Sequence, residues 1–414
     1  MIQRCKGFKD MLPVEMAAFR QAESVFLQAA RGWGYQEVRT PTIEYLYLFT
    51  SAGTLTPGKL RRTYSFLDWD GWSGERVVLR PDTTIPVARM YAECLAGQPQ
   101  AKLCYVANTF MFDDTGKKNR ERWQLGAEYI GSSSAVADGE LVALALEVAA
   151  KLAVPDVRVR LSHSGLIAAL LEQSGFDAEE YNSIFDELLD GNEKAIDRVK
   201  EANPQLARLF SLMLGMHGKS AGYLKNLKAL LDESLSGSKC VIDDFIATTE
   251  AIQALGVECE INLAAAKGYE YYTGIIFHIL SGDEIIGGGG RYDNLISLLG
   301  GKDVPAAGFG LYMDKLIRLS ACLHEEPGFR EKVLIKDAGG GAFRTLESAR
   351  KMRKAGYNIV IAPEKSEHKN AGFCLEICSG SPGFMLEDIS AGKRKGLASA
   401  EEACEILARG DELA

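Results

Sequence analysis

In NRERWQLGAEYIG (Asn119–Gly131) an Arg, a Gln and a Glu recur at alternating positions. A strand sends alternate side chains to one face, so this spacing suits a strand that lines a ligand pocket. Just ahead, NTFMFDDTG (Asn108–Gly116) puts Met111 where an enzyme handling a nucleotide would want a cation. Three more segments carry polar residues in otherwise apolar contexts: LRPDTTIPVAR (Leu79–Arg89), AAKGYEYYTGIIF (Ala265–Phe277) and GGGGRYDNLI (Gly287–Ile296). The four glycines are not followed by a helix-opening Lys-Ser/Thr, which argues against a phosphate-binding P-loop. Glycines in a strand mark close approach of backbone or ligand instead. The five His are dispersed and support no metal site. Cys374 and Cys378, in CLEIC, have no further ligands nearby and read as strand-facing thiols.

These residues need a scaffold, and the chain supplies a mixed one. Its 414 residues exceed one ordinary core, so two or three domains are expected. At 47% hydrophobic and 25% charged, the composition is that of a globular protein. No apolar run is long enough to span a membrane, and MIQRCKGFKDMLP lacks the apolar stretch of a secretory signal. Nine Cys in apolar contexts fit reduced thiols, and the expected location is cytoplasmic. A net charge of −9 offers nucleic acid no general attraction.

Along the chain, VEMAAFRQAESVFLQAARGWGY has helical spacing, and YQEVRTPTIEY reads as an edge strand interrupted by Pro41. YSFLDWDG and RVVLRPDTT form a hairpin, and TTIPVARMYAECLA a helix. AKLCYVANTFMF and ERWQLGAEYIG are strands around a polar loop, followed by an amphipathic helix and the strand DVRVRLSH. Short helical patterns then fill 164–256. Strands return in CEINLAAAKGYEYYTGIIFHILSG, EIIGGGGRYDNLISLLGG and PAAGFGLYMDKLIRLSACL. A strand–helix–strand unit, FCLEICSG and a last helix close the chain. The expected fold is α+β: an antiparallel sheet core over 1–163 and 257–325, a helical insertion over 164–256, and a small α/β domain over 330–414.

The four polar segments, in this order, resemble histidyl-tRNA synthetase, a class II aminoacyl-tRNA synthetase, from Gly7 to about Leu316. The resemblance implies the antiparallel class II core and a histidine pocket made by Asp82, Thr84, Gln124, Glu128, Tyr271 and Tyr272. The chemistry agrees: two carboxylates face one ammonium, Gln124 adds an acceptor, and the tyrosines give apolar walls with polar tips. Lys267, counted with this set, stands where the family has an Arg that assists adenylate formation.

The nucleotide half departs from the family. Met111 replaces the Arg that holds the α-phosphate, and Lys315 replaces the Arg that stacks on adenine. Gly308 and Gly310 keep the small positions that leave room for adenine, but Tyr312 fills the next. A lysine cannot reproduce a planar fork, and losing one preorganised cation at a transferring phosphate costs about 10²–10³ in rate. A retained amino-acid pocket beside a degenerate ATP site is similar to the regulatory-subunit family of ATP phosphoribosyltransferase, as is Asp82 in RPDTT. That implies a non-catalytic, histidine-binding subunit needing no cofactor, forming a homodimer within a hetero-oligomer with a short-form catalytic phosphoribosyltransferase. The 330–414 region resembles a trimmed anticodon-binding domain; it is near-neutral and has no basic aromatic stripe, so tRNA is not an expected partner. The competing expectations are an active histidyl-tRNA synthetase and a synthetase-like histidine binder with another partner.

Overall fold

The computed structural model describes residues 2–53, 55, 57–69, 74–113, 119–172, 175–189, 194–215, 218–230, 236–257, 259–263, 271–323, 330–362 and 371–409. The chain divides into two compact units, Met1–His324 and Glu325–Ala414. In the first, α1 (Pro13–Gly32) opens with Pro13 at a position that needs no amide donor, and Leu12 N–H donates to Glu15 Oε2 (3.2 Å). Pro41 then splits the expected edge strand. Its halves, β1 (Gln36–Glu37) and β2 (Ile43–Tyr45), enter different sheets, because proline cannot donate to a ladder. After α2 (Leu46–Ser51) and α3 (Pro57–Leu60), β3 (Ser65–Trp69) and β4 (Gly74–Leu79) form the expected hairpin, with β2 on the far edge of β4. The helix α4 (Thr84–Met90) continues into a π-helical turn over Tyr91–Leu95.

The strands β5 (Ala101–Phe110) and β6 (Glu121–Ile130) pair antiparallel at the heart of the larger sheet. Next come α5 (Ala135–Lys151), whose N-terminus is capped by Ser134 Oγ, and β7 (Val157–His163). Among the described residues, six helices follow: α6 (Ser164–Leu171), α7 (Ala178–Leu189), α8 (Lys194–Ala202), α9 (Pro204–Gly215), α10 (Ala221–Leu230) and α11 (Ser236–Gln253). The sheet resumes with β8 (Cys259–Ile261), β9 (Ile275–Ser281), β10 (Glu284–Arg291) and, after α12 (Leu295–Leu298), β11 (Ala306–Tyr312). The strand order is β1-β5-β6-β11-β10-β9-β7-β8, antiparallel except at its two parallel edges.

Leu125, Ala127, Phe309 and Leu311 alternate onto the face covered by α1, α5 and α13 (Met313–Leu319), and all are buried. Each large side chain there contributes about 1.5–3 kcal/mol by leaving water. The alternation that sends them inward turns Gln124, Gly126 and Glu128 to the opposite face.

In the second unit, β12 (Arg330–Ala338) lies between β13 (Tyr357–Ala362) and β14 (Phe373–Cys378), both parallel to it. The helix α14 (Ala342–Lys354) and α15 (Ala400–Arg409) complete this α/β layer. A hairpin that sequence patterns do not announce, β15 (Phe384–Asp388) and β16 (Lys393–Leu397), extends the sheet antiparallel.

Candidate ligand site

The site is built on the sheet face opposite the helices. Glu128 is fully buried, in cross-strand register with Leu103 on β5 and Gly308 on β11. Thr84 Oγ1 donates to its Oε1 at 2.7 Å and Tyr105 OH at 3.0 Å, while Tyr292 OH is hydrogen-bonded to Oε2. The strand glycines make the space. A Cβ on Gly308 would fall 1.6 Å from Glu128 Oε2, and one on Gly126 would fall 2.2 Å from the Tyr105 ring. The room expected for adenine at Gly308 is thus taken by the Glu128 carboxyl.

Asp82 precedes α4 and caps it, its Oδ1 accepting from Ile85 N–H at 2.9 Å. That bond orients the first turn of α4 so that Thr84 reaches Glu128. The rings of Tyr271 and Tyr272 lie 4.8 Å apart, and Tyr271 meets Tyr292 edge-on at 5.7 Å. Gln124 is half-buried, opposite Tyr312 on β11, and its amide has no side-chain hydrogen bond among the described residues. The backbone behind the tyrosines is fixed by Arg291: Thr273 N–H donates to the Arg291 carbonyl (2.8 Å), and the buried guanidinium grips Asp138 at 2.7 and 3.3 Å. Arg291 thus anchors the turn behind the glycine strand.

Burial dominates the electrostatics. It pushes the Glu128 carboxyl up to about 8, against the hydrogen bonds from Tyr292, Thr84 and Tyr105 that favour the charged form. Asp82 is also raised by burial, with the Ile85 amide opposing. The phenols of Tyr105, Tyr271, Tyr272 and Tyr292 are held well above their usual range, again by burial. Without a cation in the site, Glu128 therefore carries a proton near pH 7. A ligand ammonium placed beside Asp82 and Glu128 reverses that by favouring the carboxylate.

The structure brings Asp82, Thr84, Glu128, Tyr271 and Tyr272 together and places Gln124 on the same sheet face, four residues from Glu128 along β6, while Lys267 lies outside the described residues. The nucleotide-side positions stand differently. Met111, just past β5, donates its N–H to Arg120 O (2.9 Å). The Arg120 guanidinium does not replace the missing cation, because it lies 4.2 Å over the Phe112 ring and donates to Asp113 O. Lys315 donates to Ile285 O at 2.6 Å and sits 3.5 Å from Glu284 Oε1, which ties it to β10. Two partners of Glu128, Tyr105 and Tyr292, are absent from the sequence-based set. Tyr105 sits in LCYV, where an aromatic reads as ordinary strand core, and Tyr292 carries its only signal in following Arg291. Among the described residues, one other grouping has ligand-like spacing, Cys374, Glu376 and Glu387 on the C-terminal sheet. Arg394 already engages both carboxylates, at 3.9 and 2.7 Å.

A family model described as histidyl-tRNA synthetase matches residues 7–316. The chain belongs to the histidyl-tRNA synthetase family. Within this family it is 51% identical, over 361 residues, to a Dehalococcoides mccartyi (strain CBDB1) protein named ATP phosphoribosyltransferase regulatory subunit, covering 87% of this chain and 88% of the relative. An Archaeoglobus fulgidus histidine–tRNA ligase is 32% identical over 372 residues, covering 87% and 85%. A Bacillus halodurans C crystal structure, described as an ATP phosphoribosyltransferase regulatory subunit/histidyl-tRNA synthetase, superposes with a TM-score of 0.75 at 24% identity, over 87% of this chain and 92% of that one. Histidyl-tRNA synthetase from Nostoc sp. PCC 7120 gives a TM-score of 0.75 at 20% identity, over 99% and 100%. These structures show the class II synthetase-like fold, and the 51% relative places the chain's similarity with the regulatory-subunit branch of the family. Among the described residues, no helix is long and apolar enough to cross a membrane.

Proposed function

We propose that this chain is the non-catalytic, histidine-sensing regulatory subunit of an ATP phosphoribosyltransferase, acting in the cytoplasm on a short-form catalytic partner to impose feedback control. The observation that carries the reading is the contrast between the two halves of the site. The buried Glu128 keeps a full set of hydroxyl partners, while the nucleotide-side Lys315 is bound back to β10 and Met111 offers no charge. The regulatory-subunit name of relatives at 51% identity supports the same assignment.

Free histidine places its ammonium against Asp82 and Glu128, an amide hydrogen bond on Gln124 and its ring against the Tyr271–Tyr272 pair. Lys267 belongs to the same pocket by its position in the motif. The domain division follows: 1–163 with 257–325 as the sensing core, 164–256 as an insertion, and 330–414 as a remnant of the anticodon-binding domain that no longer serves tRNA. A homodimer forms through α1 and the β2–β4–β3 sheet, where Leu12 (65% exposed), Val14 (70%) and Trp69 (69%) present apolar surface that a two-fold interface would cover.

Two assays test this. Calorimetric titration with histidine, with and without the catalytic subunit, should show binding, and catalytic turnover should fall as the site fills. Histidine-dependent pyrophosphate exchange should be absent; exchange at about 1 s⁻¹ or faster, the ordinary enzyme scale, would instead make this an active synthetase.

A further inference from the structure

We propose that Ser164, the first residue of α6, is a positioning residue for the tyrosine wall, and that through it α6 and α11 respond to the filling of the site. The response to a ligand rests on the histidine-sensing reading, whereas the positioning role does not.

The wall is carried by a backbone corner, Tyr272 to Gly274, that is gripped from two sides. From β10, the Arg291 carbonyl accepts from Thr273 N–H at 2.8 Å, and Thr273 Oγ1 accepts from Asp293 N–H at 3.0 Å. From α6, Ser164 Oγ shares its proton between Tyr272 O at 2.9 Å and Gly274 O at 3.1 Å. Ser164 N–H also donates to Gly274 O at 3.0 Å. The approach is close enough that a Cβ on Gly165 would fall 2.7 Å from Thr273 O. Ser164 is 1% exposed, and the carbonyls it serves belong to buried residues. Removing its hydroxyl therefore withdraws a donor that water cannot readily replace. The Tyr272 ring stands over Gly290, where a Cβ would come within 3.0 Å of it. A ring so closely seated moves with its backbone.

The same corner is tied into the helices. His163 caps α6, its Nδ1 accepting from Leu166 N–H at 3.1 Å, and its imidazole meets the Phe245 ring of α11 at 5.1 Å. Both rings are buried, and α6 packs along α11. The β10 grip thus fixes the wall to the sheet, and the α6 grip fixes it to the helices. A ligand resting on Tyr271 and Tyr272 restrains the corner and with it α6 and α11. Coupling is reciprocal, so loosening α6 must weaken the ligand.

The test uses the full-length protein, with Ser281→Ala as the control. Ser281 Oγ makes the same kind of buried bond, to Pro155 O at 2.7 Å, but on β9 and away from the corner. In the empty protein, Ser164→Ala should speed hydrogen exchange at the Thr273 amide about fivefold or more, and Ser281→Ala should not. In calorimetry, Ser164→Ala should weaken histidine about three- to tenfold, with Ser281→Ala within about twofold of wild type. Saturating histidine should slow exchange in α6 and α11 of wild type, and this protection should be lost in Ser164→Ala at equal occupancy. Unchanged Thr273 exchange in a folded Ser164→Ala, equal histidine affinities for the two serine variants, or α11 protection that survives Ser164→Ala would each overturn the proposal. Failure of wild type to bind histidine sinks the sensing reading instead, and Thr273 exchange in the empty protein still decides the positioning role.

Discussion

If histidine binds with its ammonium against Glu128, binding must expel a proton, and the yield follows from the structure. Burial holds the Glu128 carboxyl at about 8 in the empty site, so at pH 7 about nine molecules in ten carry the proton there. An ammonium at this carboxyl favours the ionised form. The complex is therefore expected to release close to one proton per histidine at pH 7. Restoring the charge costs about 1.4 kcal/mol at that pH, so the ionisation of Glu128 alone should raise affinity about fivefold from pH 7 to pH 8 and about tenfold in all as it completes above pH 8. The assay is titration calorimetry in two buffers of different ionisation enthalpy, whose difference counts protons. Glu128→Gln removes the titrating group, and subtracting its proton count from that of wild type cancels the proton exchange of histidine's own imidazole. The variant should bind about 5- to 150-fold more weakly, because it leaves a buried partner unpaired. The same carboxyl makes the empty protein less stable as pH rises: its folded value exceeds its unfolded one, so the contribution is full below about 4.3 and is lost as pH climbs toward 8. Wild type should lose about 2 kcal/mol between pH 6 and 8 that Glu128→Gln does not lose. Equal proton release by both proteins, or none by wild type, would refute the placement of the ammonium.

Three further outcomes follow from the geometry. Gly308→Ala puts a Cβ 1.6 Å from Glu128 Oε2 and 2.8 Å from Ala127 O, so it should cost about 1–3 kcal/mol in chemical denaturation and abolish histidine binding. Lys315→Ala should leave the histidine isotherm within about twofold of wild type, since its amine serves Ile285 and Glu284; a larger loss than in Glu128→Gln would refute the division of the site into two halves. Light scattering at micromolar protein should give a dimer, and Leu67→Asp with Trp69→Asp on exposed β3 should shift it toward monomer; a monomeric wild type would rule out the proposed interface.

The buried cluster around Glu128 was partly legible because polar residues stand out in apolar strands. Glu128 and Gln124 share a parity that points both away from the helical layer, and that parity is written in RWQLGAE. Tyr105 was not legible: tyrosine belongs in strands for its packing, and nothing local distinguishes a phenol aimed at a carboxyl from one in the core. The split at Pro41 shows the limit of local pattern, since alternation signals a strand but does not say which sheet receives it. The β15–β16 hairpin escaped for a different reason. The residues Lys393, Arg394 and Lys395 are all exposed, as suits a strand at a sheet edge, and a run of charge reads as loop. Its turn is held by Asp388 Oδ1, which accepts from Ser390 and Ala391 N–H at 2.9 Å each.

The glycine that faces Glu128 sets terms for how this lineage can change. Every substitution at Gly308 adds a carbon where the carboxyl already sits, so drift at this codon is closed for as long as Glu128 and its hydroxyls are kept. Met111, Tyr312 and Lys315 face no such obstacle, and random change there meets little resistance once phosphate and adenine contacts stop being selected. Relatives that lost nucleotide chemistry should then vary freely at those three positions while remaining fixed at Gly308. Release of Gly308 would be the heritable mark of a branch that had also given up its ligand.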